Sequence, residues 1–244
     1  LGVLIENMRR EGFELQIGKP HVITHEVDGQ TLEPFETVTV DVPEAVMGKV
    51  MELLGSRFGI LEHMSQHQGH CHLEFVAPSR GLIGLRNRLL TATKGEAVLH
   101  HSFREYRPVV GELPGRVNGV LVASDTGRTT GYALLNLQDR GDFFVVPGDL
   151  VYEGQIVGEH CKDNDIAVNV TKEKHLTNVR SSNKEATEKL KTAVKFALEE
   201  ALEYIEEDEL VEVTPKSIRL RKKILNERDR IKDMRERAAE LKEA

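Results

Sequence analysis

Glu36-Thr37-Val38-Thr39-Val40-Asp41-Val42-Pro43 places a valine at every second position and closes on a proline. A period of two puts Val38, Val40 and Val42 on one face of a strand. Pro43 suits the start of a helix, where a missing N–H costs nothing. The helix that follows carries Val46, Val50, Leu53 and Leu54 on one stripe and runs out at Gly55 and Gly59. Ile60 to Gln66 and His70 to Val76 read as second and third strands about the turn Gln68-Gly69. Pro78-Ser79 opens a second helix, with Ser79 as its N-cap and Leu82, Ile83, Leu85, Leu89 and Leu90 as its apolar face. Gly95 ends it, and Ala97 to Phe103 is a fourth strand. The order βαββαβ over residues 33–110 predicts an α+β, ferredoxin-like domain. Its helices lie on one face of the sheet, and the other face is open to dock.

Downstream, residues 111–244 predict a mainly β domain, barrel-like or a sandwich, with one long helix. Glycines recur at 115, 119, 127, 131, 141, 148, 154 and 158, between short candidate strands at Val117–Val122, Tyr132–Leu137, Phe143–Val146 and Gln155–Val157. A helix over about 184–206 is expected from Leu190, Val194, Ala197, Leu198, Ala201, Leu202 and Ile205. Val211–Val213 and Ile218–Leu220 read as closing strands, and the charged tail after Asn226 as helix-prone. Upstream, Leu1, Leu4, Ile5 and Met8 have helical spacing up to a stop at Gly12, followed by a strand at Phe13, Leu15 and Ile17. Residues 1–32 cannot bury these faces themselves and read as the remnant of an earlier domain, so the chain is expected to be a fragment.

The chain has 33 Lys and Arg against 40 Asp and Glu, a net charge of −7. That argues against a general polyanion binder and leaves local patches to decide. The charge is segregated. Glu199, Glu200, Glu203, Glu206, Glu207, Asp208, Glu209 and Glu212 form an acidic block, followed by Lys216, Arg219, Arg221, Lys222 and Lys223. Cys71 and Cys161 are read as free thiols. No apolar run approaches the ~20 residues of a membrane span, and no leader is evident, which points to the cytoplasm.

Several catalytic signatures are missing. No Gly-x-x-x-x-Gly-Lys-Ser/Thr occurs, so no phosphate-cradling loop is expected. Asn183-Lys184-Glu185-Ala186 lacks the final carboxylate that would read guanine. Asp125-Thr126-Gly127 occurs once, at an expected turn, and one carboxylate cannot share a proton with itself. No nucleophile is paired with a base, so no catalytic residue is assigned. His63, His67, His70 and His72 are the metal candidates. If 67 faces 70, then 63, 65, 67, 70, 72 and 74 share one side of the sheet, and Cys71 points to the other. No spacing here matches a metal signature. An exposed polar hairpin is the preferred reading, with no metal assigned. His100 and His101 must face opposite sides.

Five stretches together carry a resemblance: Val76-Ala77-Pro78-Ser79-Arg80-Gly81-Leu82-Ile83-Gly84-Leu85-Arg86, Asn136-Leu137-Gln138-Asp139-Arg140-Gly141, Val151-Tyr152-Glu153-Gly154-Gln155-Ile156-Val157-Gly158, Leu176-Thr177-Asn178-Val179-Arg180, and Asp208 through Arg221. The chain resembles the C-terminal part of BipA/TypA translational GTPases, with the motifs in family order. The resemblance implies an end of domain III at residues 1–32, a domain V of elongation-factor-G type at 33–110, and the family's own C-terminal domain at 111–244. It implies GTP hydrolysis with GTP and Mg2+ in an N-terminal domain that this chain lacks, so the chain alone should be inactive. It implies docking to the ribosome, to large-subunit rRNA and to the acceptor end of A-site tRNA, by a monomer, in large-subunit assembly and in growth under stress or cold. The alternatives are another factor bearing domain V, such as LepA or a ribosomal protection protein, or a protein-interaction module with the acidic block as bait.

Two candidate RNA contacts follow. Lys172, Lys174, His175, Thr177, Asn178, Arg180 and Lys184 lie in a stretch poor in apolar residues. Such a segment can track phosphates while reading shape. The residues alone fit a connector equally, and the resemblance implies RNA. Arg219, Arg221, Lys222 and Lys223 form a second patch, or else the surface charge of an edge strand.

Overall fold

The computed structural model describes residues 2–113, 115–173 and 189–243. They form two compact units: Pro20–Gly115, and a second that joins Leu1–Lys19 to Arg116–Ala244. The chain starts in the second unit, with α1 (Gly2–Arg10) and β1 (Leu15–Gly18).

The Pro20–Gly115 unit contains β2 (His25–Val27), β3 (Gln30–Pro43), α2 (Met47–Gly55), β4 (Ile60–His67), β5 (His70–Pro78), α3 (Ser79–Leu82), α4 (Leu85–Ala92) and β6 (Val98–Pro108). Its four main strands run antiparallel in the order β4-β5-β3-β6, with β2 paired to the start of β3. This is the ferredoxin-like arrangement. Val38, Val40 and Val42 are buried against Val50 and Leu54 of α2 and Leu85 and Leu89 of α4. Each such side chain contributes about 1.5–3 kcal/mol.

The second helix differs from expectation. Gly84, at φ 71°, and an extended Ile83 break it into α3 and α4. Pro78 takes the capping position, and Ser79 is the first helical residue, with no side-chain cap. Local packing explains the break. Arg57 Nη1 donates to the carbonyls of Gly81 and Ile83, both at 2.8 Å. A Cβ on Gly81 would lie 2.7 Å from the Arg57 carbonyl oxygen. Arg80 clasps the buried Glu33 through Nε and through Nη2, the latter at 3.1 Å, and also donates to the carbonyls of Val110 and Gly111. The Ser-Arg-Gly-Leu-Ile-Gly run is therefore structural in this unit.

The second unit continues with β7 (Val120–Ala123), β8 (Gly127–Arg128), α5 (Gly131–Leu137), β9 (Gly141–Phe143), β10 (Leu150–Val151), β11 (Gln155–His160), β12 (Ile166–Val168), α6 (Leu198–Tyr204), β13 (Glu209–Val213), β14 (Ile218–Lys222) and α7 (Glu227–Glu243). Its sheet runs β1-β13-β14-β11-β7-β12, with β9 also on β11 and β12 parallel to β7. Among the described residues the path is open, where glycine-punctuated strands suggest a barrel or sandwich. One core joins Ile5 of α1 to Leu198, Ala201 and Leu202 of α6 and to Val211, Val213 and Leu220 of the sheet. Another gathers Leu134 of α5 with Leu121, Phe143, Val157 and Val170.

Three expectations are corrected by this unit. Tyr132–Leu137 is helix, not strand: Thr130 Oγ1 accepts from the Ala133 N–H at 3.1 Å and caps α5. The helix expected over about 184–206 is confined, among the described residues, to α6. Upstream of it the Val194 N–H donates to the Phe143 carbonyl at 2.8 Å, and Ala197 is extended. Residues 1–32 are divided. β1 pairs antiparallel with β13, Leu15 opposite Val213 and Ile17 opposite Val211, so Leu1–Lys19 belongs with the C-terminal part of the chain, while β2 pairs with β3.

Candidate nucleic-acid interface

The described residues that lead into the first candidate segment form a braced stem. Val170 is buried in the α5 core, and its carbonyl accepts from the Thr130 N–H at 3.0 Å. Asn169 Nδ2 donates to Asp125 Oδ2 at 2.7 Å, and Ser124 Oγ donates to the same oxygen at 2.7 Å. The lone Asp-Thr-Gly carboxylate thus supports a loop. Lys172 is exposed, and its carbonyl accepts from Thr130 Oγ1 at 2.5 Å. Thr130 therefore ties the cap of α5 to the root of the segment. Lys174, His175, Thr177, Asn178, Arg180 and Lys184 lie outside the described residues. After the segment, Leu190 packs on the α5 core and Lys191 reaches Asp142 at 3.1 Å.

The second patch separates by strand alternation. β14 lies between β13 and β11, so it is an inner strand and not an edge strand. Arg219 and Arg221 share one face. Arg219 Nη1 meets Glu212 Oε1 at 3.5 Å, while Arg221 Nε donates to the Lys222 carbonyl at 3.2 Å. Lys223 is exposed. Tyr152 donates to Glu212, and burial, aided by that bond, pushes its hydroxyl well above the usual tyrosine range.

Lys222 does not belong with them. It faces the core side and is 2% exposed. Its Nζ contacts Asp165 at 2.6 Å, Asp208 at 2.8 Å and Glu209 at 2.9 Å. Burial opposes its charge, but the Glu209 carboxylate and its other acidic partners outweigh that and hold its pKa above the usual lysine value. A phosphate could reach this ammonium only by displacing three carboxylates. The acidic block is likewise largely committed. Glu209 binds Arg116 and Lys222, Asp208 binds Lys222, Glu212 binds Arg219 and Tyr152, and Glu206 binds Lys19 at 2.6 Å. That weakens its role as bait for a basic partner.

The fold also assembles a cleft that no periodicity in the sequence signals. About 700 Å³ in volume, it is lined by Arg9 of α1, Phe144, Lys195, Phe196 and Lys216. Lys195 and Lys216 make no ion pair among the described residues. These groups come from opposite ends of the sequence, Arg9 near its start and Lys216 near its end, so only the folded sheet brings them together. Among the described residues, no group of three His, Cys, Asp or Glu side chains is placed to hold a metal ion, and no helix is long and apolar enough to cross a membrane.

Known proteins share both units. Residues 118–227 match the TypA/BipA C-terminal domain, and residues 30–117 match the elongation factor G C-terminus. A Bacillus subtilis (strain 168) protein named large ribosomal subunit assembly factor BipA is 51% identical over 244 residues, 99% of this chain. The chain belongs to the TypA/BipA family. Same-named relatives from Synechocystis and Haemophilus influenzae are 51% and 50% identical, over 91% and 94% of the chain. The chain spans only 39%, 37% and 38% of the lengths of these three TypA/BipA relatives. The boundary between the two family matches, at 117–118, falls near the division between the two compact units at Gly115–Arg116.

Proposed function

We propose that this chain is the ribosome-docking part of a large-subunit assembly factor that acts in growth under stress or cold. It binds large-subunit rRNA and the acceptor end of A-site tRNA as a monomer in the cytoplasm. GTP and Mg2+ are bound by a GTPase domain outside this sequence. What supports the reading is 51% identity along 99% of the chain to a protein named as such an assembly factor. The braced stem at Thr130 and Lys172, the half-buried cations Arg219 and Arg221 and the exposed Lys223 add to it. In this reading Lys172, Lys174, His175, Thr177, Asn178, Arg180 and Lys184 contact RNA phosphates, sugars and base edges.

The test is sedimentation of the chain with large ribosomal subunits across a salt series. Each phosphate contact releases counterions, so affinity falls steeply with salt. The variant Lys174→Ala/Arg180→Ala/Lys184→Ala is expected to bind more weakly and with a flatter salt dependence. Equal binding by parent and variant at every salt concentration refutes the assignment of that segment.

A further inference from the structure

The cleft beside α1 opens where two strands part. β14 pairs with β11 only through Arg221 opposite Gln155 and Leu220 opposite Ile156. From Gly158 onward β9 takes the same edge of β11, and Ile218 and Arg219 keep a ladder partner only on β13. Side chains from both sheet faces therefore line one opening of about 700 Å³: Ile156 and Leu220 from the core face, Gln155 and Arg219 from the other. Every lining residue belongs to the second unit.

Several groups in this opening have unused bonding capacity. Gln155 is only 4% exposed. Its Oε1 accepts from the Tyr152 N–H at 3.3 Å, which leaves the Nε2 amide without a partner among the described residues. A buried donor calls for an acceptor, and the cleft is where one can reach it. Lys195 and Lys216 are exposed and pair with no carboxylate among the described residues. Arg219 has only its 3.5 Å contact with Glu212. Of the three carboxylates that line the opening, Glu6 is held by Arg9 at 3.3 Å and Asp149 accepts from the Val146 N–H at 2.8 Å. Glu199 is exposed and uncommitted among the described residues. Phe144 and Phe196 are half-buried, edge to face, with centroids 4.8 Å apart.

We propose that this cleft binds a nucleoside 5′-phosphate, either free or as the 3′-terminal residue of an RNA strand. Its volume falls within the range of about 300–1,000 Å³ usual for small-molecule sites. The base packs on Phe144 and Phe196, since aromatic side chains stack any base. Gln155 Nε2 donates to an acceptor on the base, and Lys195 and Lys216 take the phosphate. Glu199 accepts from the ribose hydroxyls, as an acidic side chain does in dinucleotide sites. An inorganic anion would leave the two rings uncovered. An apolar ligand would leave the ammonium groups unanswered. The inference goes beyond the RNA-docking reading and does not depend on it, because a free nucleotide suffices.

The test is isothermal titration of the whole chain with AMP, 2′-deoxy-AMP, adenosine and ribose 5-phosphate. AMP is expected to bind with a Kd of about 1 mM or below, and adenosine and ribose 5-phosphate about tenfold more weakly. The deoxynucleotide should bind more weakly than AMP, and Glu199→Gln should abolish that preference. Lys195→Ala/Lys216→Ala changes two exposed positions, so the fold should survive while AMP affinity falls about tenfold. In the parent, the side-chain amide resonance of Gln155 should shift when AMP is added. No AMP binding, equal binding of AMP and ribose 5-phosphate, unchanged affinity in the double lysine variant, or an unmoved Gln155 amide overturns the site. Two oligoadenylates identify the source. Competition with AMP by a strand with a free 3′ hydroxyl, but not by a 3′-blocked strand, assigns the cleft to an RNA end. Competition by neither assigns it to a free nucleotide, and equal competition by both overturns a site for a single nucleotide. Sedimentation of Lys174→Ala/Arg180→Ala/Lys184→Ala with large subunits reads the docking segment separately, so either reading can fail while the other stands.

Discussion

Arg116 donates two hydrogen bonds to the fully buried Glu209 carboxylate, at 2.8 and 2.9 Å, across 93 residues of sequence. Arg116 also stacks 4.7 Å from the Tyr204 ring centroid, and Lys222 approaches Glu209 from another side. This network fastens the first residue of the long C-terminal stretch to β13 and β14. Burial works against ionisation of Glu209, but the Arg116 hydrogen bonds and the Lys222 charge outweigh it and hold its carboxyl below the usual range.

Glu209→Gln should therefore destabilise the second unit by about 3–5 kcal/mol, because it leaves Arg116 and Lys222 without their shared anion. The pH dependence has a definite sign. A depressed folded pKa gives stability that is fully present above the ordinary glutamate value and lost as pH falls through the lower folded value. Urea titrations should thus show the parent losing its advantage over Glu209→Gln only in strong acid. A variant as stable as the parent at neutral pH would show that the pair is dispensable.

Gly141 closes the Leu-Gln-Asp-Arg-Gly run, and a Cβ there would lie 1.8 Å from the Glu159 carbonyl oxygen. Its backbone is extended, so the demand is for space and not for a left-handed conformation. Gly141 opposes His160 where β9 joins β11. Gly141→Ala must push the two strands apart, and a cost of about 3 kcal/mol is expected from overpacking. Thermal denaturation with unaltered stability would contradict the close approach.

The two units were unequally legible. In the first, valine alternation in β3 and the Gln68-Gly69 turn sufficed for strand order, and even for the shared face of His63, His67, His70 and His72, because hairpin register is local. In the second, the decisive contacts are distant. β1 reaches β13 across nearly the whole chain, and no local pattern announces that pairing. Tyr132–Leu137 is a short apolar run, which periodicity cannot assign to strand or helix. Only the Thr130 cap distinguishes them. Lys222 reads as part of a basic run until β14 becomes an inner strand, when alternation turns it toward Asp165, Asp208 and Glu209.

Thr130 does two jobs at the root of the candidate RNA segment: it caps α5 and holds the Lys172 carbonyl. Thr130→Ala should cost about 1 kcal/mol for the lost cap. It should also weaken large-subunit binding by more than its effect on folding accounts for, since the stem loses its anchor. Thr130→Ser keeps the hydroxyl and should restore both. Sedimentation alongside urea denaturation separates the two effects. If Thr130→Ala lowers stability and leaves ribosome affinity unchanged, the stem does not position the segment.

The division of the basic run gives the sharpest contrast. Under the docking proposal Arg219, Arg221 and Lys223 are the residues that meet phosphates, while Lys222 is enclosed by carboxylates. Changing Arg219, Arg221 and Lys223 together to Ala should leave folding nearly intact, because Arg219 is only partly buried and its bridge to Glu212 is long. On large ribosomal subunits it should lower affinity and flatten the logarithmic salt slope by about two to three, since each of the three phosphates no longer neutralised removes about 0.7 to 0.9. Lys222→Met should behave in the opposite way. Removing one partner from a buried ionic cluster costs about 3 kcal/mol, while the molecules that stay folded keep the parent's salt slope. The raised pKa of Lys222 adds a pH signature. Its contribution is full below the ordinary lysine value and is lost as pH rises through the higher folded value, so parent and Lys222→Met should converge in stability only in strong alkali. A flattened salt slope in Lys222→Met at unchanged stability would put this ammonium on RNA after all and return it to the patch.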